Sequence, residues 1–75
     1  MANRLRVIRA DKRITQFKLS LLTGILQSKL SLIENSLVEP GDDERQRLAK
    51  ALGVKQEEIF PPDHDRLEAN NHIGN

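Results

Sequence analysis

Seventy-five residues suffice for one domain but not for a large core, since chains of this size bury only about 60% of their unfolded surface. With no cysteine, tryptophan or tyrosine, a disulfide framework and a cysteine-based zinc site are excluded, and aliphatic packing must carry the fold. The formal net charge is only +1, yet residues 1–35 carry seven basic and two acidic side chains while residues 36–75 carry five and nine, a split that suits either a polyanionic partner for the N-terminal half or a solvated helix face.

The hydrophobic spacing predicts five helices. The first covers about residues 3–12, with Leu5 and Ile8 as its inner stripe. Thr15 is a good N-cap for a second helix over residues 16–23, which places Leu19 and Thr23 on one face. Gly24 breaks the pattern, because glycine enters the left-handed region cheaply, and Ile25 plugs the turn. A third helix follows over about residues 27–35, with Leu30 and Ile33 inward. Pro40-Gly41 punctuates the next loop, and Asp42-Asp43-Glu44 put negative charge in the first turn of a fourth helix, where the dipole favours it. That helix turns Leu48, Ala49 and Leu52 inward and stops at Gly53. Residues 56–60 form a short fifth helix ended by Pro61-Pro62. No segment alternates with period two, so the expected class is all-α. Residues 1–62 are expected to form the domain, and residues 63–75 a polar tail, a frayed helix followed by disorder.

Other function classes find little support. No apolar run approaches the roughly 20 residues that span a bilayer. Met1-Ala2-Asn3-Arg4 leads directly into an amphipathic pattern rather than the apolar core of a signal peptide, so a soluble cytoplasmic protein is expected. His64, between Asp63 and Asp65, and the distant His72 are too few ligands for a metal site. No serine, histidine and carboxylate set is arranged for catalysis, and no glycine-rich phosphate loop appears. Neither an enzyme nor a bound cofactor is expected.

The second and third helices, broken by Gly24, have the spacing of a helix-turn-helix, which offers its second helix to the major groove of double-stranded DNA. On a helical wheel Ser28, Ser31, Leu32 and Asn35 point away from Leu30 and Ile33, with Gln27 on the flank near the start. Gln can pair bidentately with adenine, Ser can serve any base, and an apolar side chain can touch the thymine methyl. Gln27, Ser28 and Leu32 are therefore the candidate base readers, with Ser31 beside them. Lys29 points partly sideways and suits a phosphate, while Gln16 and Asn35 flank the surface. An amphipathic helix pair that never meets DNA would share the same spacing.

The stretches RLRVIR, ITQFKLSLLTGI, LSLIEN and RLAKALGVKQEEIF stand in the order of a known family. Over about residues 4–60 the chain resembles the lambda-repressor-like, Cro-type (XRE) helix-turn-helix regulators of bacteria and phages. The resemblance implies a compact five-helix DNA-binding domain. It implies phosphate contacts at Gln16 and Asn35 and base contacts at Gln27, Ser28 and Leu32. It also implies an ion pair between Arg9 and Glu34 bridging the first and third helices. A homodimer on a two-fold-related site is implied, with the dimer surface around residues 54–60.

Several positions depart from the family pattern. Leu26 stands where a Ser or Thr usually caps the third helix, which leaves open a start at Ser28. Ser36 replaces a usual glycine, and Leu37-Val38-Glu39 lacks the cations often found there. Phe17 and Leu21, four apart on the outer face of the second helix, are apolar where the family is usually charged, and Val7 also points outward. Such a surface reads as a protein interface, as packing for the tail, or as scattered exposed apolar residues. The expected function is a sequence-specific DNA-binding transcriptional regulator, a repressor of phage, mobile-element or controller type. The alternative is a protein-interaction module of the same fold, antitoxin-like or anti-regulatory, whose partner would dock on Phe17, Leu21 and Leu32.

Overall fold

Leu5, Leu19, Leu30, Ile33, Leu48 and Ile59 are fully shielded from solvent, with Ile8, Ile25, Ala49 and Leu52 packed around them. Each of the five helices contributes to this aliphatic centre. The computed structural model describes residues 3–62; among them are α1 (Leu5–Asp11), α2 (Gln16–Thr23), α3 (Gln27–Glu34), α4 (Asp42–Leu52) and α5 (Gln56–Ile59), and no strand. Helix α2 packs on α3 and α4, α1 on α3, and α5 on α4. The Arg4 N–H donates to the Ile59 carbonyl at 2.8 Å, closing the start of the chain onto α5.

The helix ends depart from expectation by a residue or two. Helix α1 starts later because Asn3 is a tie: its Oδ1 accepts the Leu5 N–H at 3.0 Å and its Nδ2 donates to the Ile33 carbonyl at 2.8 Å. It ends at Asp11 because Arg13 takes a left-handed backbone, φ 58°, and the N–H groups of Arg13 and Ile14 return to the carbonyls of Ala10 and Arg9. Helix α3 begins at Gln27 rather than Ser28 and ends at Glu34 in the same way, through Ser36 at φ 59°. Helix α5 stops at Ile59, since Phe60 has left the helical region at φ −120°, ψ 77°. The polar tail expected over residues 63–75, with His64 and His72, lies outside the described residues.

Candidate nucleic-acid interface

Local chemistry closes both ends of α2. At its start the Thr15 side chain accepts the Lys18 N–H at 3.0 Å. At its end Gly24 sits at φ 76°, and its N–H donates to the Ser20 carbonyl at 2.8 Å. The turn into α3 is then pinned by side chains. The buried Thr23 hydroxyl donates to the Leu19 carbonyl at 2.8 Å and accepts the Ile25 N–H at 3.2 Å. Ser20 Oγ donates to the Ile25 carbonyl at 2.6 Å, and Ile25 drops into the core. The angle between the two helices is thus set before any partner arrives.

Helix α3 presents the surface of interest. Gln27, Ser28, Leu32 and Asn35 are exposed, Ser31 and Lys29 are half-buried, and Leu30, Ile33 and Glu34 face inward. With about 100° between successive residues, Ser28, Leu32 and Asn35 stand opposite the buried stripe, with Ser31 beside them. Gln27 and Lys29 lie on opposite flanks. Leu26 occupies the N-cap position in extended backbone, φ −57°, ψ 140°, and its side chain caps nothing.

One flank of this surface is anchored by Glu34, whose side chain is fully buried. Arg9 grips it bidentately, Nε to Oε2 at 2.6 Å and Nη2 to Oε1 at 3.2 Å, while Arg9 Nη1 donates to the Ile14 carbonyl at 2.9 Å. Gln16 Nε2 donates to Glu34 Oε1 at 3.1 Å. Arg6 lies 3.5 Å from the same carboxylate and donates to Asn35 Oδ1 at 2.8 Å, and Asn35 Nδ2 in turn donates to the Ser31 carbonyl. One carboxylate therefore joins α1, α2 and α3. Burial pushes its pKa up, but the hydrogen bonds from Arg9 and Gln16 and the charge of Arg9 outweigh that, so the carboxyl sits below its ordinary value. Ionised and fully partnered, it fixes orientation more than it adds net stability.

The other flank is held by Glu44 in the first turn of α4. Its Oε1 accepts the Gly41 N–H at 2.9 Å, and its Oε2 meets Lys29 Nζ at 2.7 Å. The hydrogen bonds from Lys29 and from the Gly41 backbone hold this carboxyl below its ordinary value.

The sequence-predicted residues are thus arranged unequally. Gln27, Ser28, Ser31 and Leu32 share the α3 surface, whereas the side chains of Gln16, Asn35 and Lys29 each engage a neighbour within the protein. Sequence reasoning missed Arg6 and Glu44. The i, i+3 spacing of Arg6 and Arg9 on α1 was the available signal for the first, and the Gly41-x-x-Glu44 capping pattern for the second. Phe17, Leu21, Leu26 and Leu37 are all more than half exposed, as are Val7 and Leu22. Among the described residues no helix is long and apolar enough to cross a membrane, and no His, Cys, Asp and Glu cluster could hold a metal ion.

Residues 4–65 match the family model of the Cro/C1-type HTH DNA-binding domain. Among solved structures the chain is similar to the restriction-modification controller protein C.AhdI from Aeromonas hydrophila. The TM-score is 0.72 at 30% sequence identity, over 76% of this chain and 86% of that one. No curated protein matches.

Proposed function

We propose that this chain, which belongs to the Cro/C1-type helix-turn-helix DNA-binding family and is a DNA-binding transcriptional regulator, reads its operator with Gln27, Ser28, Ser31 and Leu32. The observation that carries the reading is the outward face of α3, polar around Leu32, on a helix whose orientation Arg9, Gln16 and Glu34 fix from behind. Gln27 and Ser28 supply hydrogen bonds to base edges, and Leu32 supplies an apolar contact for a thymine methyl. Gln16 and Asn35 contact phosphates at either side, and Lys29 stands within the same flank but is held by Glu44.

The active species is a homodimer on a two-fold-related site, with two α3 helices in successive major grooves about 34 Å apart. Val54 and Phe60, half-buried beside the core at α5, support that reading of the dimer surface. The likeness to a controller protein supports a repressor or controller role, acting on DNA in the cytoplasm. Selection from random duplex pools at several salt concentrations tests the proposal. Enrichment of a symmetric site with half-sites one helical turn apart is expected. Salt-insensitive retention with no enriched site would count against DNA reading by α3.

A further inference from the structure

Lys29 is the third residue of the helix that faces DNA, yet its ammonium lies against a carboxylate at 2.7 Å. Glu44 cannot follow Lys29 outward, because its other oxygen is tied to the Gly41 N–H at the start of α4. Both partners are partly screened from water, with side-chain exposures of 41% for Lys29 and 22% for Glu44, so salt weakens the pair less than one fully in solvent. Lys29 is the one cation that α3 itself carries. Arg9 is committed to Glu34, Arg6 to Glu34 and Asn35, and the loop after α3 offers Glu39 and no cation.

We infer that Glu44 sets the affinity of this protein for DNA by holding Lys29 away from the phosphate backbone. The inference rests on the reading of α3 as the DNA-facing helix. A phosphate that draws Lys29 outward must break the pair and leave Glu44 charged at the edge of the interface. Binding therefore proceeds with one cation fewer than the sequence displays. A regulator built this way binds non-specific DNA weakly, since the counterion term dominates there, and leaves relatively more of its affinity to base contacts.

Glu44→Gln isolates the effect. Glutamine keeps an oxygen for the Gly41 N–H, is itself an accepted capping-box residue, and removes only the charge that holds Lys29. Affinity for a random-sequence duplex is measured by fluorescence anisotropy between about 50 and 200 mM salt, the range over which phosphate contacts reveal themselves. The proteins compared are wild type, Glu44→Gln, Lys29→Met and the double variant. Freeing one cation is expected to steepen the log–log salt slope by about 0.9, which is roughly a threefold extra loss of affinity across that range. With Lys29→Met in place, Glu44→Gln is expected to leave the slope unchanged. If wild type binds but Glu44→Gln does not change its slope, or changes it equally without Lys29, Glu44 does not act through Lys29 and the inference is overturned. If wild type itself shows no salt-dependent binding, the DNA-facing reading of α3 falls and takes the inference with it.

Discussion

Helices α2 and α3 each have eight residues and pack over the same core, but they are closed by different means. Thr15 caps the start of α2 and Gly24 ends it. Helix α3 begins after Leu26, which caps nothing, and the left-handed residue that follows its end is Ser36 rather than glycine. What α3 lacks locally it receives from outside: Glu34 is clasped by α1 and α2, and Lys29 is clasped by α4. The ends of α2 are set mainly by its own sequence, while α3, the proposed DNA-facing helix, is held mainly by its neighbours. The arrangement leaves the exposed face of α3 free to vary without unsettling the fold.

The largest effect expected from breaking this contrast is at Glu34. Glu34→Ala removes the shared acceptor of Arg9 and Gln16 and strands an Arg9 side chain that is only 16% exposed. Loss of one partner from such a buried pair is expected to cost about 3 kcal/mol, read as a lower urea midpoint. The pH dependence follows from the same contacts. The folded-state pKa of Glu34 is depressed, so its contribution is complete above the unfolded carboxylate pKa of about 4.3 and is lost as pH falls through the lower folded value. Glu44 is depressed too, so its contribution is likewise lost on acidification. The difference in unfolding free energy between wild type and Glu34→Gln therefore isolates the Glu34 contribution. That difference is expected to shrink on acidification below about pH 4.5 and to stay flat above pH 5. A difference that does not change with pH would mean Glu34 is not held charged by Arg9.

A smaller pair of effects, opposite in sign, tests the N-termini. Thr15→Ala should cost about 1 kcal/mol, the usual worth of a lost N-cap. Leu26→Ser should instead gain roughly 0.5–1 kcal/mol. Residue 26 already has the extended backbone of a capping residue, and its side chain is 73% exposed, so little apolar burial is forfeited. Denaturant midpoints of the two variants should move apart around wild type. An unmoved midpoint for Leu26→Ser would show that the first N–H groups of α3 need no side-chain cap.

The same contrast decides what could be read from the sequence. Thr15, Gly24, Asp42-Asp43-Glu44 and Gly53 carry local signals, and the elements they bound fall where the spacing places them. The inward stripes Leu5/Ile8, Leu30/Ile33 and Leu48/Ala49/Leu52 were legible for the same reason. The ends of α1 and α3 were less legible, because Arg13 and Ser36 carry no intrinsic preference for the left-handed backbone they adopt. Nor does the chain announce that Arg6 reaches Asn35 or that Lys29 reaches Glu44. Those contacts join residues far apart in sequence, and only the crossing of the helices brings them together. Residues 54–60, read from the family resemblance as a dimer surface, also serve the core. Ile59 is fully buried, and its carbonyl holds the Arg4 N–H.

The smallest effect concerns the C-terminus of α3. The N–H groups of Ser36 and Leu37 donate to the carbonyls of Ile33 and Leu32 at 3.0 and 2.9 Å, the closing pattern that glycine usually serves. At φ 59° a serine bears the left-handed penalty of roughly 1–2 kcal/mol that its Cβ imposes. Glycine would remove that penalty but lose about 0.5–1 kcal/mol through greater freedom in the unfolded chain. Ser36 is exposed, so packing does not enter. Ser36→Gly is therefore expected to stabilise by about 0.5 kcal/mol, the balance of those two terms. A higher midpoint would mean that α3, given a glycine end like that of α2, no longer relies so fully on Glu34 and Glu44. An unchanged one would mean that the two closing hydrogen bonds already absorb the strain at residue 36, and that the dependence of α3 on its neighbours lies at its N-terminus alone.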